Sequence, residues 1–203
     1  MFSLTFLPVA AEWVLALAAG ALYFTAWKHT PEENVRLMKR LVMVGVAVFF
    51  ALALLGTFFQ YTVWKGDPLS QNLLPPHQPI GYFAKYAGVH FWLAPLLSSI
   101  LSVAFYGFLT LLKKKNERFF EEGEMELGAL TVFLAGWPRA VVFLPIVFLA
   151  VLALSGIKMA LRKDAYTTLG FPFLIGLVIS LAYGFTILQS LDLEFLAVIP
   201  GLR

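Results

Sequence analysis

The sequence predicts an all-α, polytopic membrane protein with six transmembrane helices, the fourth of them short or re-entrant, and with its N-terminus outside. Three observations lead to this prediction. Hydrophobic residues make up 60% of the chain and charged residues only 13%, more apolar surface than a soluble fold could bury. Long apolar runs recur along the chain. Most of its 15 Lys and Arg residues lie between those runs, in segments 28–40, 113–126 and 158–168.

Four apolar runs are each long enough to cross a bilayer, since a crossing helix needs about 20 apolar residues. They are Pro8–Trp27, Leu41–Val63, Phe91–Leu112 and Leu169–Leu188. The stretch Leu127–Ile157 is too long for one crossing, and the sequence Gly-Trp-Pro-Arg at 136–139 interrupts it. We therefore predict two helices there, the first of them unusually short.

The basic segments decide the number of crossings, because Lys and Arg accumulate on the cytoplasmic side of membrane proteins. Segments 113–126 and 158–168 must then share a face, so an even number of helices separates them. A single helix would leave Lys158, Arg162 and Lys163 outside. Six helices satisfy the rule, with both termini and the 64–89 loop on the outer face.

The whole chain, residues 1–203, is predicted to be a single transmembrane domain, because no segment between the spans is long enough to bury a core of its own. The chain has no cysteine, which excludes disulfides, thiolate metal sites and a cysteine nucleophile. No metal site is predicted. The basic loops are accounted for by membrane sidedness, so we expect lipids as partners and no nucleic acid.

The outer loop 64–89 is rich in Pro and Gly, which argues against a long helix there. We expect an extended flap along the interface. Its aromatic residues are typical of a belt at the level of the lipid head groups; they are Trp64, Tyr82, Phe83, Tyr86 and, just inside the next helix, Trp92.

Acidic side chains are the first candidates for function. Glu12 is the only charged residue within the four long spans, and ionisable groups at such depth often serve a function. The alternative is an acid tolerated one turn below the interface, where its carboxylate can reach water. Four further acids crowd the start of the shortest helix, namely Glu121, Glu122, Glu124 and Glu126. They could form a charge-balanced loop with the neighbouring lysines, or share proton-transfer work through raised pKa values.

Histidines are the candidate ligands for a haem, which in membranes usually takes two imidazoles at the same depth. Of the three histidines, His77 and His90 lie on the outer face and His29 on the inner one. No cofactor is predicted as the leading interpretation. The alternative is a respiratory anchor that binds haem or quinone through His77, His90, Gln60 and Tyr61.

Three stretches resemble the type IV prepilin peptidases and their archaeal preflagellin relatives. The run from Glu121 to Trp137 is similar to that family's Gly-x-Gly-Asp motif and the Gly-Trp that follows. The segment 168–176, Thr-Leu-Gly-Phe-Pro-Phe-Leu-Ile-Gly, resembles its entry to the last helix, and residues 21–32 resemble its first catalytic stretch. The resemblance implies six helices, a prokaryotic inner membrane, and acids at the inner ends of helices 1 and 4.

The departures from the family concern the catalytic residues. Phe24 stands where the first catalytic Asp would be, Glu124 stands at the second, and Glu121 replaces the first motif Gly. An aspartic peptidase needs two carboxyls that share a proton, so the resemblance implies an impaired peptidase. Glu32 or Glu33 paired with Glu124 is the alternative that would restore one.

These observations predict a noncatalytic membrane subunit or assembly factor on a prepilin-peptidase-like scaffold, acting within a larger complex. Small residues in helices 1 to 3 would allow close helix contact. The alternatives are an active aspartic peptidase that uses Glu124 to cleave prepilin-like leaders, and the quinone or haem anchor.

Overall fold

The computed structural model describes residues 6–115, 120–162 and 168–196. Those residues form an all-α protein without β-strands, as the sequence predicts. Their α-helices are α1 Phe6–Phe24, α2 Pro31–Gly66, α3 Ile80–Ala87, α4 Leu93–Lys115, α5 Glu124–Ala135, α6 Ala140–Arg162 and α7 Gly170–Ser190. A π-helical turn, Gly88–Trp92, joins α3 directly to α4. Arg118 and Lys163, which belong to the basic segments of the topology prediction, lie outside the described residues.

Within residues 6–115, 120–162 and 168–196, five helical stretches are long and apolar enough to cross a membrane. They are α1, α2, the continuous stretch Ile80–Lys115, Ala140–Leu161 and α7. The predicted division of 127–157 is also confirmed, because α5 ends at Ala135 and α6 begins at Ala140. α5 has only 12 residues and is about 18 Å long at the helical rise. That length is short of a hydrocarbon core of about 30 Å.

The first part of α2, residues 31–40, was predicted as loop and is helical, because α2 begins at Pro31. The hydroxyl of Thr30 accepts a hydrogen bond from the Glu33 backbone N–H at 3.3 Å. In return, the Glu33 carboxylate accepts from the Thr30 backbone N–H at 2.9 Å. This reciprocal capping box, with proline at the first helical position, starts the helix early. Arg36 and Lys39 are therefore helical residues.

The prediction of an extended flap over 64–89 is also wrong at both ends, since α2 continues to Gly66 and α3 begins at Ile80. The prolines of the segment lie before that point, at 68–79, so they do not interrupt α3. The ring of Trp64 packs on those of Phe83 and Tyr86, with centroids 5.3 and 4.8 Å apart. These aromatic residues thus tie α2 to α3.

Just beyond α2, side-chain and backbone hydrogen bonds from Ser70 lower the pKa of Asp67.

The short helix α5 lies at the centre of the fold, in contact with α1, α2, α4, α6 and α7. All of its residues except Met125 are buried. A helix that is apolar on every side needs neighbours on every side, and the five longer helices supply them. Small residues allow the close packing: the hydroxyl of Ser102 on α4 donates to the backbone oxygen of Ala129 at 2.7 Å. Glu124 and the 136–139 turn therefore lie at opposite ends of one central helix.

Candidate functional site

Glu124 is the first residue of α5, and Gly123 makes the turn into it with a φ of 90°, a conformation that favours glycine. Its side chain is almost completely buried, with 1% of its surface exposed. Burial of a carboxylate is costly unless hydrogen bonds replace its water. The sequence prediction that an acid stands at the start of the short helix is thus matched by an enclosed carboxyl group.

Three backbone N–H groups donate to the carboxylate of Glu124. The N–H of Glu121 lies 3.0 Å from Oε2, and that of Leu169 lies 3.3 Å from the same oxygen. The N–H of Gly170 lies 2.7 Å from Oε1. Leu169 and Gly170 begin α7, where N–H groups lack partners within their own helix. Glu124 therefore caps α7 from a different helix and fastens the start of α5 to it.

The close approach of α7 depends on Gly170. A Cβ at this position would overlap the ring of Tyr23 and come within 2.6 Å of Oε1 of Glu124. Only glycine leaves room for α1, α5 and α7 to meet here. The segment that resembles the family's entry to its last helix is thus the segment that contacts Glu124.

A cavity of about 290 Å³ lies beside this junction, and both Phe24 and Glu124 line it. The rest of its wall comes from the ends of α1 and α2 and from the acidic turn, including Tyr23, Asn34, Met38, Glu121 and Glu122. The structure thus brings together the two positions that the resemblance equates with the family's catalytic acids. Phe24 is largely exposed, and its ring packs edge-on against Phe171 at 6.3 Å between centroids.

Among the other candidate acids, Glu121 and Glu122 line the cavity beside Glu124, whereas Glu126, Glu32 and Glu33 do not. Glu126 is buried and faces the cleft between α2 and α4, where its carboxylate is 3.9 Å from the Lys39 ammonium and 3.4 Å from the Tyr106 hydroxyl. Glu32 lines a cavity of about 430 Å³ with Glu121, Glu122 and Glu126, and not the cavity that holds Glu124. Glu33 lines neither cavity, because its carboxylate returns to cap α2.

The residues proposed for haem or quinone are not gathered in one place. Tyr61 packs on Phe83, with ring centroids 5.3 Å apart. His90 stacks on Tyr86 at 3.9 Å and lines a cavity at the other end of α5, which neither Gln60 nor His77 lines. Among the described residues, no group of three His, Cys, Asp or Glu side chains could hold a metal ion.

That end of α5, its C-terminal end, also holds an ion pair that the sequence did not predict. Arg139 donates to both oxygens of Glu12, from Nη1 at 3.0 Å and from Nη2 at 2.5 Å. Both side chains are nearly buried, at 12% and 11% exposure. Glu12 was identified as a candidate, whereas Arg139 was treated only as part of a helix break. Two opposite charges in otherwise uncharged surroundings were the available signal.

Comparison of the chain with protein-family models, with curated protein sequences and with solved structures gives no match.

Proposed function

We propose that this protein is a noncatalytic integral membrane subunit or assembly factor on a prepilin-peptidase-like scaffold, acting within a larger membrane complex. In this proposal six helices cross a prokaryotic inner membrane, α5 being the short fourth one. The N-terminus lies outside, and the basic segments lie inside. The protein's neighbours are lipids and other membrane subunits.

The bonding of Glu124 is the observation that carries the proposal. Both oxygens of its carboxylate accept backbone hydrogen bonds, and two of the three donors belong to the start of α7. The group facing the same cavity at the first family position is the phenyl ring of Phe24, which cannot donate or accept a proton. An acid used in this way holds helices together, and a peptidase would need it to share a proton with a second acid around a water molecule.

One observation favours an active aspartic peptidase as the second candidate. Glu121 and Glu122 line the same cavity as Glu124 and Phe24, so carboxyl groups other than the one expected from the family are within the site. In such an enzyme one of them would replace the missing acid.

A cleavage assay separates the two candidates. The purified full chain in mild detergent is incubated with a peptide that has a prepilin-type basic leader followed by an apolar helix. The subunit proposal predicts no cleavage by the wild type. Cleavage that is lost in Glu124→Gln, and retained in Asp192→Asn, an exposed acid away from the cavity, would establish the peptidase instead.

Association is tested separately by purification from the native membrane in mild detergent. A stoichiometric complex with defined membrane subunits is the expected result. A monodisperse monomer under conditions that preserve other complexes of that membrane would contradict the proposal.

A further inference from the structure

The cavity at the outer end of α5 has a volume of about 210 Å³. Residues of α1, α2, α4 and the 136–139 turn surround it. The cavity arises because α5 is short. Its 12 residues span about 18 Å, which is about 12 Å less than the thickness of a hydrocarbon core. The longer neighbours continue past this point, so the turn becomes the floor of a recess between them. We call this recess the outer cavity.

The walls of the outer cavity are mainly apolar and aromatic, with Phe49, Phe91 and Phe133 among them. Its charged groups, Glu12 and Arg139, neutralise each other through two hydrogen bonds. A site with paired charges and aromatic walls selects neither an anion nor a cation. It suits a neutral, flat molecule with a few polar atoms, as is usual for pockets of this kind.

Within the described residues, Arg139 has one hydrogen-bond donor that no acceptor meets. Its guanidinium carries five N–H bonds. The Nε–H group donates to the backbone oxygen of Ala135 at 2.9 Å, and Nη2 is directed to Glu12 and to the oxygen of Leu134. Nη1 has two N–H bonds, and Glu12 is its one acceptor among the described residues. The second N–H bond of Nη1 has no acceptor in that part of the chain, and in the proposed site it donates to an oxygen of a bound molecule.

His90, which also lines the outer cavity, supplies an acceptor. Its Nδ1 lies 3.0 Å from the backbone oxygen of Tyr86, and a carbonyl oxygen only accepts, so Nδ1 carries the hydrogen of the neutral ring. The other ring nitrogen, Nε2, then has a free lone pair. It can accept a hydrogen bond from a hydroxyl group but cannot donate one to a carbonyl.

We propose that the outer cavity binds the head group of a membrane-soluble quinol. A quinol is a neutral ring with hydroxyl groups on opposite edges. One hydroxyl oxygen accepts from Arg139, the other hydroxyl donates to His90, and the ring lies between the phenylalanine side chains. A quinone has only carbonyl oxygens. It can accept a hydrogen bond from Arg139, but it has no hydroxyl group to donate to Nε2 of His90. The site therefore prefers the reduced form. This inference does not depend on the function proposed for Glu124.

The experiment measures binding by isothermal titration calorimetry to the full chain in detergent micelles under anaerobic conditions. The two probes are decylubiquinol and decylubiquinone, and empty micelles provide the blank. We expect saturable binding, at least tenfold tighter for decylubiquinol. In His90→Phe, which keeps a ring for stacking on Tyr86, quinol affinity should fall at least tenfold while quinone affinity changes little. His77→Phe, an exposed histidine outside the cavity, is the matched control and should behave as wild type.

A second variant tests the location without altering a polar group. Ala53 lines the outer cavity, and Ala53→Leu fills part of it, so both probes should bind at least tenfold more weakly. Three results would overturn the proposal: heats equal to those of empty micelles, equal wild-type affinity for the two probes, or unchanged quinol binding in both folded variants.

Discussion

The carboxylate of Glu12 and the guanidinium of Arg139 form a two-point ion pair, although 127 positions separate them in the chain. The pair joins α1 to the turn between α5 and α6. The Arg139 guanidinium also stands 5.4 Å from the centre of the Phe185 ring on α7. The Arg139 side chain thus connects α1 and α7 to the C-terminal end of the central helix α5, where it donates to the backbone oxygen of Ala135.

Removal of one partner should be costly, because it leaves the other charge buried and unpaired. We expect Glu12→Gln to lower the free energy of unfolding by about 3 kcal/mol, seen as a fall in the melting temperature of the protein in detergent. Glu32→Gln, an acid-to-amide change at an exposed position, is the control and should have little effect. The double variant Glu12→Met with Arg139→Met should be more stable than Glu12→Gln. Equal melting of Glu12→Gln and the control would contradict this role.

Gly170 provides a steric prediction. Gly170→Ala should destabilise the protein by about 1–3 kcal/mol, since the new methyl group would overlap Tyr23 and Glu124. Gly156→Ala on α6 is the matched control, because nothing lies within 4 Å of a Cβ there. That change should be neutral or stabilising by up to about 1 kcal/mol, as alanine is the better helix former. Thermal unfolding of both variants checks the difference, and equal melting temperatures would show that the contact is not tight.

Glu124 should behave as a cap for α7. In Glu124→Gln one oxygen becomes an amide nitrogen, which cannot accept from the N–H groups of Leu169 or Gly170. We expect a loss of about 1–3 kcal/mol and faster amide hydrogen exchange in the first turn of α7. Glu122→Gln, an exposed acid two positions away, should leave exchange there unchanged. Unaltered exchange in Glu124→Gln would mean that the carboxylate does not hold α7.

The start of α2 depends on the Thr30 cap. Thr30→Ala removes the hydroxyl that accepts from Glu33 and should cost about 1 kcal/mol. Thr30→Ser keeps that hydroxyl and should retain most of the stability. Helix content and melting temperature measured by circular dichroism distinguish the two. A melt for Thr30→Ser as low as that of Thr30→Ala would indicate that the methyl group, and not the hydroxyl, is what matters.

Most of the helices could be predicted from the sequence because they depend on local composition. Apolar length and the break at 136–139 were sufficient to predict helices at the positions of α1, α2, α4, α5, α6 and α7, whereas α3 lies in the segment predicted as a flap. The start of α2 differs from the prediction although Thr-Pro-Glu-Glu at 30–33 is a capping-box pattern, because the charges that follow it are also typical of a loop between membrane spans.

The residues that contact Glu124 and Glu12 could not be predicted from the sequence. The partners of Glu124 in α7 are backbone N–H groups. Every residue except proline carries one, so no pattern of side chains predicts which of them will donate to Glu124. The partner of Glu12 is distant in sequence, and helical periodicity gives no information on which residue of another helix a side chain will meet.

The sidedness of the chain is the prediction on which the six-helix arrangement rests. Because the chain has no cysteine, single cysteines can be introduced without background labelling. His29→Cys and Lys114→Cys, both exposed, stand at the inner ends of α1 and α4 in the proposed topology. An impermeant maleimide should modify them only after the membrane is opened. Gln71→Cys, in the exposed segment after α2, should be modified in intact cells.

This labelling pattern is expected because cationic segments are retained on the cytoplasmic side of the membrane. Each long helix carries the chain from one side to the other. Lys158→Cys near the end of α6 extends the test to α5. If α5 and α6 together return the chain to the inner face, this cysteine is protected in the same way as Lys114→Cys. If the maleimide modified one of these two cysteines in intact cells and not the other, residues 114 and 158 would lie on opposite sides of the membrane. α5 would then not complete a crossing, and the six-helix topology would fail.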